Sequence, residues 1–89
     1  MSQRYITFTP NGWGDYQYWL KQDKKTLLKI NRLISETCNE PFVGIGKPEP
    51  LKQKLSGYWS RRIDKQNRLV YSVSDSSIAI IACRFHYDS

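Results

Sequence analysis

The 89 residues, 39% of them apolar, read as one domain over residues 1–89 and argue against disorder. A chain this size buries only roughly 60% of its unfolded surface, so the core must be thin, with one sheet against one helical layer. Fourteen Lys and Arg against eight Asp and Glu leave a formal charge of +6, which favours a polyanion as partner, nucleic acid first, over a basic protein with no such ligand.

"YITFT" at 5–9 alternates β-branched and aromatic residues and predicts a first strand. Thr9-Pro10 is a helix start, with Thr9 as N-cap and Pro10 in the first turn. Trp13, Tyr16 and Leu20 then recur at helical spacing, although Gly12 and Gly14 weaken the beginning. Asp23 can cap a second helix through "KKTLLKINRLISETC", where Leu27, Ile30, Ile34 and Cys38 line one face beside Leu33. The short junction implies a helical hairpin. "NEPFVGIGKPEP" is a Pro- and Gly-punctuated loop. "KLSGYWSRRI" (54–63), "RLVYSVS" (68–74) and "SIAIIACRFHY" (77–87) read as three strands of an antiparallel meander. The expected fold is α+β: an antiparallel sheet of about four strands covered by an N-terminal helical hairpin, in the order β-α-α-β-β-β.

Cys38 and Cys83 form no CxxC pair, and with a single His they offer no metal-ligand cluster; a disulfide between them stays open. No metal or cofactor is expected. A reduced cytoplasmic location is the default. "MSQRYITFTP" lacks the apolar stretch of a secretory signal, and "IAIIAC" at 78–83 is too short to span a membrane.

The chemistry-bearing residues gather in the second half. Arg68, Val70 and Ser72 share one strand face, and Leu69, Tyr71 and Val73 the other. Along the last strand Ile78, Ile80, Ala82, Arg84 and His86 alternate with Ala79, Ile81, Cys83, Phe85 and Tyr87. A three-residue hairpin loop would set Arg68 opposite Arg84, with His86 one diagonal step away; a two-residue turn would set it against Cys83. In the first register a proton donor and a phosphate-binding guanidinium are neighbours. With a carboxylate added, the set suits RNA cleavage by the 2′-hydroxyl. Glu49 is the candidate. Pro48 and Pro50 stiffen its loop, and Pro50 drives Glu49 toward extended geometry. The flanking Lys47, Lys52 and Lys54 would attract an RNA backbone; an ordinary solvated Glu is the alternative. Arg61 and Arg62 lie on opposite faces of their strand, one expected as a solvated edge charge and the other as a phosphate contact. Tyr58, Trp59, Phe85 and Tyr87 could stack on bases, although Trp59, on the side of Leu55 and Ile63, reads as core. Trp13, Tyr16, Tyr18 and Trp19 read as packing or partner-binding residues.

Taken in order, "DYQYW", "KINRLI", "PFVGIGKPEPLKQKLSGYWSRRI", "RLVY" and "ACRFHY" resemble the YoeB (or Txe) toxins of the RelE/ParE superfamily, over nearly the whole chain. The resemblance implies a RelE-like fold and a toxin that cuts messenger RNA in the ribosomal A site. It also implies a partner antitoxin of the YefM (Axe) type, with DNA bound only through that complex. On this likeness Glu49 is the general base, His86 the general acid and Arg68 the stabiliser of phosphorane charge. Tyr87 positions the substrate, and Lys52 and Arg62 touch the RNA backbone. Chains of the family commonly finish at the His-Tyr pair, whereas Asp88 and Ser89 follow here; the added carboxylate could favour the charged form of His86 or displace Tyr87. Two rival functions share the scaffold: a non-catalytic inhibitor of a target such as DNA gyrase, and an antitoxin-bound co-repressor. Codon preference, cleavage of free RNA and the choice between monomer and homodimer stay open.

Overall fold

The computed structural model describes residues 4–85. Its elements are β1 (Tyr5–Phe8), α1 (Pro10–Gln22), α2 (Lys24–Asn39), β2 (Glu49–Pro50), β3 (Trp59–Arg62), β4 (Arg68–Val73) and β5 (Ser77–Ala82), with a 3₁₀ turn at Gln53–Leu55. The class is α+β as expected, and the first strand joins the same sheet. That sheet differs from expectation in two ways. Among the described residues it has five strands, in the order β1-β5-β4-β3-β2, and it is mixed, because β1 runs parallel to β5 while the other neighbours are antiparallel. β1 and β5 are the first and last strands, so the whole chain between them serves as the crossover that parallel pairing requires. The extra strand is Glu49–Pro50, inside the segment read as a loop. Its proline-restricted backbone is already extended, and at a sheet edge the missing Pro N–H costs no ladder bond.

The helix boundaries follow the capping residues. Thr9 Oγ1 accepts from the Gly12 amide at 3.0 Å, with Pro10 beginning α1. Asp23 serves both helices: its amide donates to the Trp19 carbonyl at 2.9 Å, and its Oδ1 accepts from the amides of Lys25 (3.1 Å) and Thr26 (3.3 Å). These charged acceptors satisfy amides that the first turn of α2 cannot satisfy itself.

Leu27, Ile30, Leu33, Ile34 and Cys38 of α2 are buried as the spacing predicts. They pack with Trp19, Ile63, Leu69, Tyr71, Ile78, Ile80 and Cys83 in one cluster between the helices and the sheet. Both cysteines are free. The buried positions of α1 differ from those expected. Trp13 and Leu20 are half-exposed, and the helix buries Gly12 and Trp19 instead. The cause is a close approach, since a Cβ on Gly12 would lie 2.1 Å from the Ile80 carbonyl oxygen. Gly12 lets the start of α1 rest on the β5 backbone, which rotates Trp19 inward, where its Nε1 donates to the Cys83 carbonyl at 2.7 Å. A second, smaller cluster of Leu51, Val70 and Ala82 lies on the opposite face of the sheet, covered by Leu55 and Tyr58. No helix among the described residues is long and apolar enough to cross a membrane.

The two α1 glycines give a paired prediction. Gly12→Ala should destabilise the protein by about 2–3 kcal/mol or more, because the carbonyl that blocks the new methyl group is backbone. Gly14→Ala, whose Cβ would meet nothing within 4 Å, should stabilise by about 0.5–1 kcal/mol through helix propensity. Urea unfolding of both variants beside the wild type measures the difference, and equal midpoints would contradict the helix–strand contact.

Candidate active site

The β4–β5 connection decides which side chains meet. Ser74 donates its amide to the Ser77 carbonyl at 2.9 Å, so the turn is the two-residue form, Asp75-Ser76. Val73 then faces Ile78 and Tyr71 faces Ile80, but Val70 faces Ala82. Ile81 is therefore one extra residue, a β-bulge. The bulge corrects the expected strict alternation: Ile78 and Ile80 point to the helices, Ala82 belongs to the opposite face, and Cys83 returns to the helix side. It also brings the final segment to Arg68 despite the short turn, with the Arg68 amide donating to the Phe85 carbonyl at 2.9 Å. The start of α1 secures the bulge. Thr9 donates its amide to the Ile80 carbonyl at 3.0 Å and Asn11 Nδ2 donates to the Ile81 carbonyl at 2.9 Å, while Asp15 Oδ2 accepts from the Cys83 amide at 3.0 Å.

On the sheet face turned away from the helices, Glu49, Ser60, Val70 and Ala82 form one row of cross-strand partners. Arg62 and Arg68, paired across β3 and β4, form part of the next row. Glu49 and Arg68 thus share a face, about 12 Å apart at Cα from two strand spacings and two residues of rise. Glu49 and Arg62 are exposed. Arg68 is largely buried, at 9% exposure; its Nη1 donates to the carbonyls of Asp64 (2.9 Å) and Asn67 (3.3 Å), which fixes the direction of its guanidinium. Leu51, Val70 and Ala82 floor this face, and Lys52 and Lys54 stand exposed on the segment whose leucines cover it. Lys47 is exposed just ahead of β2, with a φ of 49°. His86 and Tyr87 lie outside the described residues. Between the exposed Glu49 and Arg62 the face is filled, because Ser60, Val70 and Ala82 are buried and Leu51, Leu55 and Tyr58 pack there. Hollows of about 300 Å³ (between β1 and the helices, at Phe8, Tyr16 and Ile34) and about 500 Å³ (at Leu28, Arg32 and Ile45) lie elsewhere. Among the described residues no group of three or more His, Cys, Asp or Glu could hold a metal ion.

Arg61 contradicts both roles expected of the Arg61-Arg62 pair. It is neither a solvated edge charge nor a phosphate contact, because it is fully buried on the helix side. Its Nε donates to Tyr71 Oη at 3.2 Å. Nη1 donates to Glu36 Oε2 (3.2 Å) and the Ile45 carbonyl (3.0 Å), and Nη2 to the carbonyls of Glu40 and Val43. Tyr71 Oη in turn donates to the Pro41 carbonyl at 2.7 Å. The fork of guanidinium donors thereby ties the loop of residues 40–46 to β3 and β4, and the Arg62 amide adds a bond to the Gly46 carbonyl at 2.6 Å. This loop leads directly into β2 and Glu49. The signal was available in the sequence, since Arg61 has the parity of Trp59 and Ile63, the core side of the strand. Burial pushes the Tyr71 hydroxyl pKa up, opposed by the Arg61 hydrogen bond and charge, so Tyr71 stays a neutral bridge. The Cys83 thiol is pushed up to about 12 by burial and by the charge of Asp15, which leaves no thiolate nucleophile there.

The β3–β4 turn holds the other end of the site. Asp64 Oδ1 accepts from the amides of Gln66 and Asn67, each at 2.8 Å, and Asn67 Oδ1 accepts from the Phe85 amide at 2.8 Å. Burial works to raise the Asp64 pKa, but these hydrogen bonds, with the Lys29 charge, overcome it and leave the carboxyl below its ordinary value. Asn67, Arg84 and Phe85 were not singled out as a unit from the sequence, because their meeting depends on the hairpin register, which the bulge sets here.

Residues 8–87 match the family described as the YoeB-like toxin of bacterial type II toxin–antitoxin systems. A Streptomyces coelicolor protein named Toxin YoeB is 55% identical over 82 residues, covering 92% of this chain and 98% of its own. The YoeB dimer from Staphylococcus aureus superposes with a TM-score of 0.89 at 46% identity, covering 97% of this chain and 100% of that one. A YoeB–YefM complex from the same organism gives a TM-score of 0.85 at 46% identity, with the same coverage.

Replacing Arg61 with Met should cost about 3–5 kcal/mol, because the loop carbonyls and Glu36 lose their buried donor. Arg61→Lys should recover little of it, since one ammonium cannot reproduce the fork; urea midpoints measure both. The depressed Asp64 pKa sets an acid limb. Its stabilisation is complete above the ordinary carboxyl value near 3.8 and is lost as the pH falls through the lower folded value. The stability difference between wild type and Asp64→Ala should therefore be constant from pH 7 to about 5 and shrink toward pH 2. Unfolding midpoints across that range provide the check.

Proposed function

The chain belongs to the YoeB-like toxins of bacterial type II toxin–antitoxin systems, and we propose that it is an endoribonuclease that cuts messenger RNA in the ribosomal A site and so stops translation. One observation carries the reading: an exposed carboxylate, Glu49, shares a sheet face with the exposed Arg62 and the oriented Arg68. That is the arrangement needed to place a proton acceptor and guanidinium cations around one phosphodiester.

In the proposed reaction Glu49 takes the proton of the RNA 2′-hydroxyl. The 2′-oxygen attacks phosphorus, and Arg68 stabilises the added negative charge of the phosphorane. The bond from phosphorus to the 5′-oxygen breaks, and His86 gives that oxygen its proton. The products are a 2′,3′-cyclic phosphate and a free 5′-hydroxyl. Tyr87 positions the scissile phosphate. Lys47, Lys52, Lys54 and Arg62 hold the flanking backbone, which makes binding weaken with added salt. Each step uses a side chain of this protein. Arg68 enters it already oriented, since two backbone carbonyls hold its Nη1.

The YoeB–YefM complex of the Staphylococcus aureus relative supports a YefM-type antitoxin as the partner that restrains this activity. The dimeric relative supports a homodimer as a working form. The reading places the protein in the cytoplasm, where its substrate is translated.

Glu49→Gln should lower cutting of messenger RNA on programmed ribosomes by roughly 10²–10⁴-fold. Its thermal midpoint should stay unchanged, because Glu49 is exposed on an edge strand. Mapping the 3′ ends made by the wild type should find a cyclic phosphate. Undiminished cutting by the variant, or a 3′-hydroxyl end, would overturn the mechanism.

A further inference from the structure

Phe85 occupies a position that folding alone does not explain. Its φ is +72°, in the left-handed region that L side chains rarely adopt. Two bonds enforce it: the Phe85 amide donates to Asn67 Oδ1 at 2.8 Å, and the Phe85 carbonyl accepts from the Arg68 amide at 2.9 Å. A glycine would make both bonds without strain. The ring, meanwhile, is 56% exposed, so it brings little apolar burial in return. Strain retained at an exposed aromatic points to a use outside the fold.

The ring is held. The Arg84 guanidinium carbon lies 4.5 Å from the Phe85 centroid and 3.6 Å from the centroid of Tyr18 on α1. Tyr18 thus seats the cation, and the cation backs the ring. Among the described residues the neighbours of Phe85 are polar or positive: Asn67 and Arg68 bond its backbone and Arg84 lies over its ring. An apolar protein surface would bury those groups at a cost, whereas a nucleic acid matches both halves of the arrangement. A base has a flat face that stacks on an aromatic ring, and its phosphates meet the guanidinium groups.

We infer that the Phe85 ring, backed by Arg84 on Tyr18, is a stacking platform for the RNA base next to the phosphate held by Arg68. The inference rests on the nuclease reading and adds a residue that positions substrate without taking part in proton transfer.

The test uses the full chain, with messenger RNA on programmed ribosomes, and compares Phe85→Gly, Phe85→Leu and Phe85→Trp beside Glu49→Gln. The Gly and Leu variants should lose about tenfold or more in kcat/KM, mainly through a higher KM. Phe85→Trp, which keeps a stacking face, should stay within about threefold of wild type. The Gly variant should meanwhile melt at or above the wild-type temperature, a combination that a merely structural residue does not produce. If Glu49→Gln is inactive while the Gly and Leu variants cut with wild-type kcat/KM, the platform is refuted and the nuclease reading survives. Full activity of Glu49→Gln, or no cutting by the wild type, removes both. Unchanged cutting with weakened capture of a YefM-type antitoxin would assign the ring to a protein interface and overturn the inference.

Discussion

The bulge at Ile81 is the constraint on which the rest of the site depends. Without it, the two-residue turn would carry β5 onward in strict alternation, with Ala82 facing the helices and Cys83 facing out beside Arg68. With it, the thiol goes into the core and the chain runs on past the Arg68 amide. One inserted residue thereby converts an ordinary hairpin into a device that brings the C-terminal segment to the β4 arginine. The insertion is secured from the other end of the sequence. Thr9, Asn11 and Asp15 bond the backbone on either side of it, and Gly12 lets the helix come close enough for them to reach. The first helix thus supports the candidate site from the far side of the sheet.

A second support acts on the opposite edge. Glu49 sits on a strand of only two residues, and a pair that short has too few ladder bonds to hold itself. Its placement comes from the loop before it, which Arg61 pins through three carbonyls and one carboxylate. Burying a guanidinium is costly unless nearly every donor finds an acceptor. Here the acceptors are the backbone carbonyls of the very loop that needs holding. The cost of burial and the ordering of the loop are two sides of one interaction.

Much of this was legible in the sequence. The Thr9-Pro10 start, the Asp23 cap and the apolar face of α2 depend on local chemistry, and they stand where the capping residues and the 3.6-residue spacing place them. The extended backbone at Glu49 followed from its prolines. What was not legible depended on contacts between distant segments. The inward face of α1 is set by Gly12 against Ile80, not by the run of Trp13, Tyr16 and Leu20. The bulge is set by Asn11 reaching a carbonyl 70 positions away. Arg61 is the instructive case. Parity placed it with Trp59 and Ile63, but a charge in that position is tolerated only because a loop folds its carbonyls onto it, and alternation alone cannot reveal such a partner. The parallel pairing of β1 is of the same kind, since nothing in "YITFT" distinguishes it from an antiparallel edge.

The distribution of charge adds a final argument. Arg61 and Arg62 are adjacent in sequence and opposite in fate. One is surrounded by carbonyls and a carboxylate, where its charge is spent on the fold; the other stands in water across from Arg68. Between described residues one ion pair forms, Arg61 with Glu36, in a chain whose bases outnumber its acids by six. The exposed cations near Glu49, which are Lys47, Lys52, Lys54 and Arg62, can attract a polyanion, but solvated side chains by themselves do little to align one. Alignment of nucleophile, phosphorus and leaving group within a few tenths of an ångström is a large part of catalysis. On the nuclease reading, part of that alignment comes from whatever presents the RNA. On that reading a ribosome that holds a codon fixed in its A site would supply much of the alignment, and the toxin would add the base, the acid, the cations and the side chains that seat the scissile nucleotide.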